Sequence, residues 1–84
     1  MDVEFRPSAF NHGYDERDFF EVLASQPIKR RSHRGIKDVY ELFGRNLAGH
    51  YVHVIYRRAE AKAIVFHMHT MNDSERRYYK KHKQ

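Results

Sequence analysis

Residues 50–70 read HYVHVIYRRAEAKAIVFHMHT, two runs of alternating character joined by a short charged stretch. In the first run Val52, Val54 and Tyr56 fall on one side and Tyr51, His53, Ile55 and Arg57 on the other. In the second, Ile64, Phe66 and Met68 oppose Ala63, Val65, His67 and His69. Successive side chains leave a pleated backbone on opposite faces, so period-two alternation marks a half-buried strand. The stretch predicts two paired strands turning around Ala59 to Ala61. One face would be apolar, and the other would carry His53, Arg57, His67 and His69 together, with Glu41 or Arg45 joining from the preceding strand.

On the C-terminal side, Asn72 followed three residues later by Glu75 is a capping-box pattern, and Asp73 adds negative charge near the positive end of the helix dipole. The spacing predicts a helix over 73–82 with a cationic last turn. On the N-terminal side, GRNLAG at 44–49 predicts a hairpin loop, 37–43 a strand, Arg34-Gly35 a turn and 28–33 an edge strand. Asp15 is suited to cap a helix over 16–25 that Gln26 and Pro27 close, and VEFRPSAF predicts a short strand entering a brief helix at Pro7. The expected architecture is one α+β domain over 1–84, with an N-terminal helix or helices, a three- to four-stranded antiparallel sheet and a C-terminal helix. The helices would cover Val52, Val54, Tyr56, Ile64, Phe66 and Met68.

A chain of 84 residues, 40% hydrophobic and 14% aromatic, supports one small core and is too apolar for a disordered chain. It would fold alone or as a small homo-oligomer. With no cysteine, disulfides and thiolate metal sites are excluded. No apolar run reaches the roughly 18 residues a membrane helix needs, and MDVEFRPSAF lacks the basic and apolar regions of a secretory signal. A cytoplasmic protein without membrane contact is expected. The formal charge of +5 is unevenly placed: residues 1–27 are net −4 and residues 28–84 net +9. Such segregation suits a polyanion-binding face, nucleic acid above all, with a merely solvated basic surface as the competing reading.

Histidine, arginine and one carboxylate on a shared face suit metal-independent RNA cleavage. A base takes the ribose 2′-hydroxyl proton, the oxygen attacks the adjacent phosphate, and an acid protonates the leaving 5′-oxygen. Histidine serves either role near neutral pH. The expected catalytic residues are His67, His69, Glu75 and Arg76. The expected RNA contacts are Arg45, His53, Arg57, Arg77, Lys80 and Lys81, with Tyr51, Tyr78 and Tyr79 available to stack on bases. Plainer readings stand beside these: histidines on a solvated sheet face, Glu75 as a cap only, and Arg30, Arg31 and Arg34 deterring edge-to-edge association as readily as binding RNA. His67-x-His69 with His53 or His12 could approach a zinc set. The pattern lacks a well-spaced carboxylate, so no metal or other cofactor is expected.

Several segments in order resemble the BrnT-like toxins, a branch of the RelE-like superfamily. They are His12-Gly13 followed by YDERDFFEVL, Tyr40 to Gly44, Gly49 to Tyr56, and HMHTMNDSERRYY at 67–79. The resemblance implies a RelE-like fold, cleavage of free or ribosome-bound mRNA that inhibits translation, and neutralisation by a cognate antitoxin protein. It places Glu75 and Arg76 at helix positions tied to toxicity. His69 stands where the family has a strand-end arginine, and Asn72 where it has threonine. A degenerate toxin or non-catalytic module that holds nucleic acid on its basic face is the alternative.

Overall fold

The computed structural model describes residues 2–32 and 35–83. In chain order it comprises β1 (Asp2–Phe5), a 3-10 turn (Pro7–Phe10), α1 (Glu16–Ala24), β2 (Ile28–Arg31), β3 (Val39–Arg45), β4 (Tyr51–Ala59), β5 (Lys62–Thr70) and α2 (Asp73–His82). The α+β class and the order of the main elements agree with the sequence reading; the sheet does not. It has five strands in the order β1-β5-β4-β3-β2, and β1 runs parallel to β5. A three- to four-stranded antiparallel sheet is therefore corrected to a five-stranded mixed one. The physical reason is local: hairpins leave turn signals in sequence, whereas a parallel partner brought from the other end of the chain leaves none. The register Asp2↔Lys62 to Phe5↔Val65 fixes that edge. Arg34, and His33 of the expected edge strand, lie outside the described residues.

The two helices cover opposite faces of the sheet, which also departs from expectation. Phe19 and Val22 of α1 pack with Ala9, Leu42, Val52, Val54, Tyr56, Ala63, Val65 and Met68. Tyr79 of α2 packs on the other face with Phe43 and Met71. The side expected to stand open with histidines thus lies partly under α2.

β5 also changes phase. Ile55 pairs with His67 but Tyr56 pairs with Val65, so Phe66 is an extra residue, a bulge. Its carbonyl accepts a 2.7 Å hydrogen bond from the Ser8 hydroxyl. Because of the bulge, Ala63 and Val65 join Met68 in the core beside α1. The expected assignment of Ile64 and Phe66 to that face is wrong for the same reason.

Both helix starts behave as their sequences dictate. Asp15 and Asp18 form one reciprocal capping box and Asn72 and Glu75 another. The acidic charge of α1 is partly consumed in the fold: Asp18 accepts from Asn46 Nδ2 at 3.0 Å and Glu21 from the Leu47 N–H at 2.9 Å. These bonds anchor the loop before β4. Gly44, expected in a hairpin loop, lies inside β3 under α1, where an added Cβ would sit 2.8 Å from Ser25 Oγ and 3.0 Å from Val22 Cγ1. Among the described residues no helix is long and apolar enough to cross a membrane.

Candidate active site

β3, β4 and β5 are neighbours, so alternate residues of each strand project to one side and assemble a polar row under the start of α2. Arg30 on β2 donates to both carboxylate oxygens of Glu41, each at 3.3 Å. Glu41 Oε1 lies 2.8 Å from His53 Nε2. His53 Nδ1 in turn lies 3.1 Å from Glu75 Oε2. Glu75 Oε1 accepts from His69 Nε2 at 2.9 Å, and His69 Nδ1 lies 2.6 Å from His67 Nε2. The His12 ring, carried two residues beyond the 3-10 turn, stands edge-on to His67 with centroids 5.2 Å apart. Residues 12, 30, 41, 53, 67, 69 and 75 thus form one continuous polar chain from the β2 edge to the His12 side.

With neutral imidazoles, the carboxylates assign the hydrogen positions by exclusion. An ionised carboxylate only accepts, so His69 must donate through Nε2 to Glu75, and a neutral His69 then has an accepting Nδ1. His67 must therefore donate through Nε2, which leaves its own Nδ1 as the accepting nitrogen. His53 faces a carboxylate through each ring nitrogen, and a neutral ring can donate only once; the aligned 2.8 Å bond places its proton on Nε2 toward Glu41 and leaves a lone pair on Nδ1 facing Glu75. That last contact is close but lacks hydrogen-bond alignment, and His53 Nδ1 is a buried atom with no hydrogen-bond partner.

Burial holds the His53 imidazole below its ordinary pKa, against the opposing pull of Glu75 and Glu41. Burial also lowers His67, and the neighbouring His69 and His12 add to the shift. For Glu75, burial acts upward, but the Asn72 N–H and the His69 and His53 imidazoles outweigh it and the carboxyl falls below the usual range. Glu41 follows the same pattern, with Arg30 and His53 outweighing burial. The site therefore holds ionised carboxylates and neutral imidazoles at pH 7 for His53 and His67.

The expected site residues divide into those the fold gathers and those it does not. His67, His69 and Glu75 come together as expected. His53, expected to touch RNA, is only 3% exposed, stacked on Phe43 at 4.5 Å and screened by α2. It can act only through its neighbours. Tyr79 is likewise buried in the α2 core and cannot stack on bases.

Arg76, expected at the catalytic centre, instead lies over the Tyr51 ring at 4.3 Å, joined by Arg45 at 4.8 Å and Lys80 at 5.9 Å. Tyr51 is two residues before His53 on the same face of β4, so this cationic platform begins about 7 Å along the strand from the polar chain. Arg57 lies at the opposite end of that face, about 13 Å from His53 by strand rise. Arg77 and Lys81 are exposed on α2. Tyr78 packs against Phe43 with the Arg30 guanidinium 4.2 Å from its ring.

The placement of two participants is not written in the sequence, although His12 is a conceivable third ligand beside His67 and His69. Arg30, read as an edge or RNA residue, is the counter-ion of the nearly buried Glu41; its pairing follows from the register Arg30↔Glu41, which the sequence does not state. His12 is 55 positions before His67, and only the parallel docking of β1 beside β5 carries the 3-10 turn to it. Comparisons with known proteins add no further guide: no family model, curated protein or solved structure matches this chain.

Proposed function

We propose that this protein cleaves RNA by metal-independent proton transfer and serves as the toxin of a toxin–antitoxin pair. The observation that carries the reading is the Glu75–His69–His67 relay, which ends in an accepting His67 nitrogen beside a second imidazole, His12. In this reading His67 Nδ1 takes the proton of a ribose 2′-hydroxyl as the oxygen bonds to phosphorus. His12 gives a proton to the departing 5′-oxygen as its bond to phosphorus breaks. The products are a 2′,3′-cyclic phosphate and a free 5′-hydroxyl.

The positive charge arriving on His67 is shared through His69 with the Glu75 carboxylate, so His69 and Glu75 position and polarise the base rather than touch substrate. Such acid–base assistance contributes typically ~10² to 10⁴ in rate. Arg76, Arg45 and Lys80 around Tyr51 supply a surface on which a single strand can lie, with phosphates on the cations and a base against the ring. The toxin role rests on the sequence resemblance to BrnT-like and RelE-like proteins, which also brings the cytoplasmic setting, the mRNA target and the antitoxin. His69 in place of arginine is consistent with a centre that moves protons instead of clamping phosphate by charge alone.

The test is incubation of purified, chelator-treated protein with single-stranded RNA, with the product ends identified, alongside growth after induced expression of wild type and His67→Ala. Cyclic-phosphate ends and growth arrest that both vanish in the variant are expected. Intact RNA together with unaffected growth would reject the proposal. RNA retained in a salt-dependent way without cleavage would favour a second reading, a binding module using the Tyr51 platform. The observation behind it is that Glu75 already serves the α2 cap.

A further inference from the structure

The contact between His53 Nδ1 and Glu75 Oε2 is the one in this site that proton placement leaves unsatisfied. Glu41 fixes the His53 proton on Nε2, so a neutral ring directs a lone pair at a carboxylate oxygen 3.1 Å away. Two acceptors face each other where little water can enter, since His53 is 3% exposed. A cation shared by the two atoms relieves the contact.

We propose that His53 Nδ1, Glu75 Oε2 and His69 Nε2 form a binding site for a divalent ion of the zinc class, and that the occupied site is inactive. The three residues offer ligand atoms that all lie within 4.8 Å of one another. Ligands at about 2.1 Å from a tetrahedral ion are about 3.4 Å apart, so the 3.1 Å pair already has nearly the right spacing. His69 and Glu75, each partly exposed, close the remaining distance by small side-chain rotations. Two imidazoles and one carboxylate, with room for water as a fourth ligand, match zinc rather than magnesium or calcium, which prefer oxygen.

The surroundings are those of a metal site. Each ligating histidine has its other ring nitrogen already engaged: His53 Nε2 with Glu41, which Arg30 holds in turn, and His69 Nδ1 with His67 Nε2. Such outer partners orient imidazole ligands and make them better donors. The carboxylate that sequence spacing lacks is Glu75, supplied by the first turn of α2.

Inhibition, which rests on the cleavage reading above, follows from the hydrogen positions. An ion on His69 Nε2 displaces the proton there and forces it to Nδ1, which then donates to His67 Nε2. His67 must in turn carry its proton on Nδ1, the atom that otherwise accepts from the 2′-hydroxyl. The number of protons on the two rings is unchanged; only their positions move. The base is lost, and removing the ion restores it.

The test titrates Zn²⁺ into chelator-stripped full-length protein by calorimetry and Co²⁺ by visible absorption. One ion per chain, with the intense visible bands of a four-coordinate Co²⁺ site, is expected. Affinity should fall at least tenfold in His53→Gln and in Glu75→Gln, the latter retaining an N3 side chain able to accept from the Asn72 N–H. His12→Ala should bind as wild type. Wild-type thermal midpoint should rise with Zn²⁺, and that rise should disappear in Glu75→Gln. No binding at 100-fold excess, or equal binding by wild type and both ligand variants, would overturn the site. Loss of binding in His12→Ala alone would also do so, by moving the ion to the outer imidazoles. These readouts need no cleavage, so zinc binding by a protein inert toward RNA would retain the ion site and reject only the cleavage reading. Conversely, cleavage equally fast in stripped and zinc-saturated protein would reject the inhibitory state.

Discussion

His67 Nε2 lies 2.6 Å from His69 Nδ1, and His69 Nε2 lies 2.9 Å from Glu75, so with both rings neutral one carboxylate sets the proton positions of two imidazoles in series. If this relay serves RNA cleavage, His67→Ala should remove essentially all activity. His69→Phe, which keeps a ring but no nitrogen, should lower kcat by roughly 10² or more with a much smaller change in KM, because it removes polarisation rather than binding. Steady-state kinetics on a short oligoribonucleotide distinguishes the two. A His69→Phe variant with wild-type kcat would show that His67 works without the relay.

Acid should destabilise the fold from just below neutrality. His53 and His67 are held below the ordinary 6.5 in the folded chain. Below that pH the unfolded chain binds more protons than the folded one, so stability present above pH 6.5 is lost as pH falls. Glu41 and Glu75, held below the ordinary 4.5, act with the same sign at lower pH. The urea midpoint of chelator-treated protein should therefore fall steadily from pH 7.5 to pH 4. A midpoint that is flat or rises between pH 7 and pH 5 contradicts this.

Tyr51 with Arg45, Arg76 and Lys80 should hold single-stranded RNA whether or not cleavage occurs. Tyr51→Ala should weaken binding by ~1 to 3 kcal/mol. Arg76→Gln should reduce the slope of log affinity against log salt by roughly 0.7, the share of one phosphate contact on a single strand. Fluorescence anisotropy across a salt series measures both. An unchanged slope places the phosphates elsewhere on the surface.

Gly44 should resist substitution for reasons of space rather than backbone freedom. Gly44→Ala puts a methyl group against Ser25, Val22 and Pro27, all at 3.2 Å or less. The expected cost is ~1 to 3 kcal/mol, the usual range for overpacking a filled interface. A urea midpoint within error of wild type would show that α1 can shift outward without cost.

Much of the secondary structure is written in local chemistry. Asp15 with Asp18 and Asn72 with Glu75 mark both helix starts, and the alternation from Tyr51 to Tyr56 marks β4, because capping and pleating act over three residues or two. The bulge at Phe66 breaks the same rule for β5: its sequence alternates without interruption, but pairing to β4 and the Ser8 hydroxyl insert an extra residue and exchange the faces. The sequence also announces histidines on a common sheet face with Glu75 nearby.

Near-neighbour spacing is enough to yield the pair of capped helices, the paired central strands, and the basic, histidine-bearing character of one surface. Long-range packing, by contrast, lays β1 parallel to β5 and brings His12 to His67. The same packing lowers α2 onto the histidine face, turns Glu75 toward both His53 and His69, and sets Arg30 against Glu41. Those relationships join residues up to 60 positions apart. They arise from burial of two apolar faces and strand register, which a linear pattern of residues does not contain.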